Sequence, residues 1–367
     1  MTGAAIGLRR LAGQHVPGTQ LERPADVVRR LCAMQAQDYG QSLWAIGSRL
    51  RRGTAATVER AIAERQIVRT WLMRGTIHFT APEDVRWLLA LCAPRLAVAV
   101  ARRHSQLGIT THDLDRSREL MREALAGDRR LSRPDVLRLL EDAGIETTGQ
   151  RGYHILVGLA RDGLICFGPM QGRQPTFVLL DDWAPRAEAR ELAREEALAD
   201  LAGRFAASRG PVTDHDLARW AGVTLADARS GLRNAAPALV TRELDGAEYW
   251  LAADQADAPS PRAGRRRGYL LAGFDEFLLG YGDRAAQLAA EHASRVAPGA
   301  NGIFKPMIVV GGEVVGTWAR TVHAKALAIE LHPFALGVPE LVPLVRADAE
   351  RYRRFLGLPS STPVEIA

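Results

Sequence analysis

The sequence predicts an α+β, mainly helical fold: three tandem winged-helix modules, each a helix-turn-helix with a β-hairpin, followed by a small C-terminal β-barrel. Three observations predict it. A helix–turn–helix–hairpin order recurs in the first 253 residues, short apolar strands around a Gly-Gly turn fill the C-terminal part, and a polar Pro/Gly-rich stretch separates the two.

The third module is the most legible. Thr213 suits a helix N-cap, with Asp216 three residues on as a short capping box, and Leu217, Trp220 and Ala221 follow at helical spacing. Ala221-Gly222-Val223 makes a tight turn, and Thr224 caps a second helix carrying Leu225, Ala228 and Leu232. Two apolar runs then flank Asp245-Gly246, a strong hairpin signal. Upstream, Ser132 caps RPDVLRLLEDAG, with Pro134 in the first turn and Gly144 just past the end. A helix over about 149–163 and the strands LICFGP and PTFVLL complete that module. In the first module ADVVRRLCAMQ, SLWAIGSRLR and ATVERAIAER read as helices, and IVRTWLMRGTIHFT reads as a hairpin with Arg74-Gly75 at its tip.

The expected division is therefore 1–90, 91–200 and 201–253 for the modules, 254–268 for a linker, and 269–367 for the barrel and a closing helix, PELVPLVRADAERYRRFLG. The linker carries Arg265-Arg266-Arg267, which fits either a solvated face or a phosphate contact.

A 47% hydrophobic and 25% charged composition is that of a soluble globular protein, and no apolar run is long enough to span a membrane. Cys32, Cys92 and Cys166 are odd in number and far apart, which suits buried thiols in a cytoplasmic protein. The net charge of +6 favours a polyanionic partner. Only Lys305 and Lys325 are lysines, so part of that charge reflects an arginine-rich composition. Walker, zinc-protease, nucleophile-elbow and dinucleotide-binding motifs are missing, and the histidines are scattered. No metal and no cofactor is expected.

Tandem winged helices point toward duplex DNA. The hairpin offers Arg69, Arg74 and His78 with Trp71 and Met73 among them, a ribbon suited to a minor groove. Burial of Trp71 in the core of the hairpin is the competing reading; Arg74, at the tip, is expected in solvent. The stretch LCAMQAQDYG poses the sharper question. On a continuous helix Gln35 and Gln37 would point about 200° apart, so they converge only if the helix ends between them, with Gly40 as a left-handed cap. Glutamine is no general base, but its carbonyl accepts from a water and its NH2 donates. That suffices where the bond is already activated, as in an N7- or N3-alkylated purine that leaves the sugar as a neutral base. Asp38 is the stronger base beside the pair.

Gln35-Ala36-Gln37, RTWLMRGTIHFTAPED, FDEFLLGYGDR and NGIFKPMIVVGGEVVGTWAR together resemble the AlkZ/YcaQ-type winged-helix DNA glycosylases over nearly the whole chain. The resemblance implies a monofunctional, monomeric DNA glycosylase with Gln35 and Gln37 as the catalytic pair. The glutamine at position 37 resembles the AlkZ branch, which acts on bulky N7-alkylguanines and natural-product crosslinks. Neither Lys305 nor Lys325 lies near the motif, in keeping with hydrolysis rather than lyase action. Asp275 and Arg284 fit an ion pair holding the barrel to the modules, or a DNA contact. Two other readings stand beside this one: a non-catalytic winged-helix regulator, which would usually be a symmetric dimer, and a nuclease, for which only Asp181-Asp182 and Asp275-Glu276 offer neighbouring carboxylates.

Overall fold

A computed structural model describes residues 3–16, 20–236, 238–244, 246–256, 267–299, 302–323 and 326–367. Asp245 of the predicted hairpin tip, most of the predicted linker with Arg265 and Arg266, and Lys325 lie outside the described residues.

The helix and turn chemistry read from the sequence forms as expected in the third unit. Thr213 and Thr224 each accept from the backbone three residues on and cap helices Asp214–Ala221 and Leu225–Asn234, with Gly222 in the left-handed conformation between them. The hairpin β7 (Leu239–Leu244) and β8 (Ala247–Ala252) follows. Helix Arg194–Arg209 buries Leu198, Leu201, Ala202 and Phe205 against this unit and carries Arg209 at its end.

The first two hairpins do not stand apart. β1 (Ala33–Gln35), β2 (Val68–Trp71), β3 (Ile77–Thr80), β4 (Leu131–Ser132), β5 (Ile165–Phe167) and β6 (Thr176–Leu179) form one sheet in the order β1-β3-β2-β5-β6-β4. Arg69 opposite Phe167 joins the two hairpins. Aromatic packing holds the seam, with the Trp71 ring 4.5 Å from Phe167 and 5.9 Å from Tyr153. Every residue of β2 and β3 is buried, so this ribbon lies inside the protein and does not offer itself to a groove.

The C-terminal part fits the expected small barrel as a curled half-barrel, an open sheet closed off by the C-terminal helix. β9 (Gly268–Leu271), β10 (Met307–Val310), β11 (Glu313–Val322), β12 (Leu327–Pro333) and β13 (Val364–Ile366) pair in the order β13-β12-β11-β10-β9, leaving β9 and β13 as edges. The sheet curls as a half-barrel around helix Val338–Phe355, which fills the space that further strands would close. Trp44 packs edge-on against Tyr352 of that helix at 4.9 Å and donates its indole N–H to the Leu270 carbonyl at 2.6 Å, fixing the half-barrel to the first unit. At the N-terminus, helix Gly3–Gly13 runs against the turn of β10–β11. A Cβ at Gly7 would collide with the Gly312 carbonyl, so only glycine permits the approach.

Candidate active site

The glutamine motif is not helix: Gln35 ends a strand and Gln37 lies in the bend just after it. Helix Pro24–Leu31 stops four residues before Gln35, and Cys32, at φ 65°, turns the chain. Ala33–Gln35 then pairs with β3, Gln35 facing His78, and Ala36 N–H donates to Ile77 O at 2.7 Å. Alternate residues of an extended chain share a face. The two-residue spacing that is awkward on a helix therefore brings Gln35 and Gln37 to one cleft without fraying. Gly40 is not the left-handed cap the sequence suggested. It lies inside helix Tyr39–Gly47, whose N-cap is Asp38, accepting from Gln41 N–H at 3.1 Å.

The strand is held from behind by a buried charge pair. Glu276 accepts from Gln35 N–H at 3.1 Å through one carboxylate oxygen. Its other oxygen accepts from Arg209 at 2.8 Å and from the Trp220 indole at 2.9 Å. Arg209 in turn donates to the carbonyls of Leu31 and Ala33, each at 3.0 Å. Sequence reasoning weighed Glu276 only as a metal ligand and did not see Arg209. The FDEF segment pointed to the right place, but not to the residue that grips the motif. Its neighbour Asp275 pairs with Arg49 at 2.8 Å, both fully buried, and not with Arg284 as expected. Arg284 donates instead to Leu278 O at 2.7 Å and lies over the Phe304 ring.

Three of the hairpin residues predicted to meet DNA sit behind the motif. Arg69 is 7% exposed and donates to Ala36 O at 3.0 and 3.3 Å, with its guanidinium over the Phe167 and Tyr39 rings. Burial lowers its pKa to about 10. His78 is fully buried, bonded through Nδ1 to Thr76 O at 2.9 Å. Burial, reinforced by nearby Arg74, drives its pKa down to about 3, so the ring is neutral. Trp71 belongs to the aromatic core. Residues of such type on a short hairpin read as a surface ribbon only if the hairpin has a free face, and β1 and β5 cover both of its edges.

Arg74 alone reaches the cleft, and it is half-buried instead of solvated. Its backbone is left-handed at φ 56°, packed on the Gly222 turn, and its side chain donates to Gln35 Oε1 at 3.3 Å. Gln37 is exposed; Ile77 N–H donates to its carbonyl at 3.3 Å, and its NH2 has no partner among the described residues. The cleft measures about 860 Å³. Gln35, Gln37, Asp38 and the arginines 74, 219 and 284 supply its polar wall, and Phe274, Leu279, Ile303 and Phe304 the apolar one. Such a cavity suits a planar ring against an apolar wall with polar groups on its far side. Among the described residues no group of three His, Cys, Asp or Glu side chains could hold a metal ion.

Comparison with known proteins places the chain in a family. The family model described as DNA glycosylase AlkZ-like matches residues 28–355. A curated relative, the interstrand DNA cross-link repair glycosylase of Streptomyces sahachiroi, is 28% identical over 358 residues, covering 93% of each chain. The solved structure of Streptomyces sahachiroi DNA glycosylase AlkZ aligns over the full length of both chains with a TM-score of 0.81 at 25% identity.

Proposed function

The chain belongs to the AlkZ-like DNA glycosylases and is such an enzyme acting on DNA, and we propose that it hydrolyses the N-glycosidic bond of alkylated purines, N7-alkylguanine and N3-alkyladenine, through Gln35 and Gln37. The observation that carries this reading is the arrangement of the two amides in one cleft: the Gln35 carbonyl restrained by Arg74, and the Gln37 NH2 free.

An alkylated purine already carries the positive charge that makes it a leaving group. The glycosidic bond breaks with its electron pair going to the base, which departs neutral, and the sugar becomes oxocarbenium-like. The amide carbonyls face their negative ends toward that cation and accept from the attacking water. The water oxygen bonds to the anomeric carbon, and its proton passes to solvent by way of exposed Asp38, which borders the cleft. No amine enters the scheme, so the product is an abasic site on an uncut strand.

Residues 1–90, 91–200 and 201–253 then act as three winged-helix modules cradling duplex DNA, with 269–367 closing one side, in a monomeric, cofactor-free, cytoplasmic enzyme. The cleft is broad enough for a bulky adduct, and the relative's name supports extending the substrate range to interstrand crosslinks. Single-turnover excision of N7-methylguanine, of a bulky N7-guanine adduct and of a crosslinked duplex tests this. Gln35→Ala and Gln37→Ala should each lose about 10²-fold in rate with DNA binding retained. Equal rates for wild type and both variants would remove the amides from the chemistry.

A further inference from the structure

Resting on the glycosylase reading above, we propose that Arg74, Arg219 and Arg284 form a pocket for one DNA backbone phosphate next to the target nucleotide, and that the seated phosphate sets the orientation of Gln35 through Arg74. The three come from distant segments: the turn Met73–Gly75, helix Asp214–Ala221 and the loop after helix Glu276–Leu279. All three line the same cleft.

Their charges are uncompensated by protein. The carboxylates nearest them are taken: Glu276 by Arg209 at 2.8 Å, and Asp216 by Arg10 at 3.6 Å and by Gly282 N–H at 2.7 Å. Arg74 keeps a buried Nη1 without a partner among the described residues. Arg284 uses only its Nε, on Leu278 O, and Arg219 makes no hydrogen bond or ion pair with any described residue. In the interior Arg49 and Arg209 each meet a carboxylate, whereas the buried Arg69 is met by a carbonyl and aromatic rings. Burial first, and then the neighbouring arginines, depress the pKa values of Arg74 and Arg284, with Glu276 and Asp216 offsetting part of the effect. Space is reserved for them. A Cβ at Gly222 would lie 3.2 Å from Arg74 Cγ, and one at Gly282 would lie 3.2 Å from Arg219 Cδ.

Arg219 is exposed and Arg284 half-buried, while the Arg74 Nη1 is buried without an acceptor among the described residues. Leaving such a donor unmet is costly, and an anion seated among the three removes the cost. The proposed chemistry narrows the anion. Three bare arginines beside a cationic purine and a developing sugar cation would oppose bond cleavage; a phosphodiester seated among them neutralises the field. It also supplies acceptors for the fork-like guanidinium donors. Arg74, bonded to the phosphate by Nη1 and to Gln35 Oε1 by Nη2, then transmits the seating of the strand to the amide.

The test pairs protein variants with single methylphosphonate substitutions at each phosphate flanking N7-methylguanine in a duplex. Excision and salt-dependent binding are both measured, with thermal melts to confirm folding. At one position the neutral linkage should slow wild type about 10- to 100-fold, the range for hydrogen bonds to charge. Arg219→Ala should match that loss, and the combination should be no slower than either alone. Its log–log salt slope should fall by about 1. Arg74→Ala should slow excision more than it weakens binding, which a purely electrostatic contact would not do. Additive losses at every flanking phosphate, or an unchanged salt slope, would overturn the pocket. Should Arg219→Ala fail to fold, Arg284→Ala takes its place in the same cycle. Absence of wild-type excision would sink the substrate reading instead. The phosphate scan is then read by binding to a duplex with an abasic site, where the same non-additivity is expected.

Discussion

Glu276→Gln isolates the clamp behind the glutamine strand. The substitution keeps the shape and removes the charge. Arg209, fully buried, loses its counter-ion, while the amide retains one acceptor and must turn its NH2 toward other donors. Removing one partner of a buried ion pair costs about 3–5 kcal/mol. The acceptor left for Gln35 N–H recovers about 1 kcal/mol of that, so a loss of about 3 kcal/mol is expected. Equilibrium unfolding in urea, followed by tryptophan fluorescence, reads it well because Trp220 donates to the same carboxylate. Arg209→Met should cost a similar amount, since it orphans the carboxylate and frees the carbonyls of Leu31 and Ala33. In the double variant neither charge remains, so the two losses should fall short of adding by about 2 kcal/mol. Additive losses would mean that the pair is not coupled and that β1 is held by its ladder alone. Excision should slow along with stability, because a strand released at Ala33 and Gln35 lets the amide drift from its productive position.

Arg69→Met should slow excision with little change in the salt dependence of DNA binding, since the residue supports Ala36 O from the interior; Lys should not rescue it, having no planar group to lie over Phe167. His78 gives a pH signature. Its folded-state pKa is depressed to about 3 from the ordinary 6.5, so the unfolded chain binds the extra proton between these values. Stability is then complete above about pH 6.5 and falls by up to about 1.4 kcal/mol per unit as the pH drops toward 3. Denaturation across pH 4–8 should show that slope, flattened in His78→Asn, which keeps a donor for Thr76 O. Cys32 and Cys92 are pushed up to about 12 by burial and Cys166 higher still. Native protein at pH 8 should therefore resist a thiol reagent that labels all three in denaturant, and rapid native labelling would contradict the described packing.

What the sequence disclosed follows the range of the interactions involved. Thr213, Thr224 and Ser132 act on neighbours three residues away, so their caps were readable from spacing alone, and each forms. Sheet partnership is not local. Nothing in Arg69 or Phe167 announces that they face each other across almost a hundred positions, and without that pairing the first hairpin looks like a free basic ribbon. The same gap misassigned Asp275. Its partner Arg49 is 226 residues away, whereas Arg284 was simply close in sequence. Side-chain type singled out a pair of amides, which the fold brings to one cleft, but the backbone beneath them was misread because ADVVRRLCAMQ keeps apolar residues in places that suit both helix and strand. The decision falls at Cys32, a non-glycine residue at positive φ, which only the clamp on either side makes tolerable.

The distribution of charge around the motif follows from the leaving group. A base that departs as a neutral molecule from a cationic state asks for no proton, so a carboxylate acid at the centre would add nothing. A charged base held against the cation would stabilise the ground state as much as the transition state, and only the difference accelerates the step. Neutral dipoles avoid both problems if they cannot rotate away. Here Gln35 is restrained at its backbone by Glu276 and at its carbonyl by Arg74, and Gln37 at its carbonyl by Ile77 N–H. Behind the strand the Glu276–Arg209 pair cancels itself, while the three open arginines on the cleft wall await an anion from outside. Gln37→Glu therefore discriminates. If rigid dipoles carry the rate, a carboxylate at position 37 leaves excision of cationic N7-methylguanine no faster than wild type, despite its greater basicity, because Ile77 N–H and the nearby arginines fix it in a single ion-paired orientation. A gain of tenfold or more, measured in single turnover at constant ionic strength, would show instead that base strength limits the step and that the amides are a compromise.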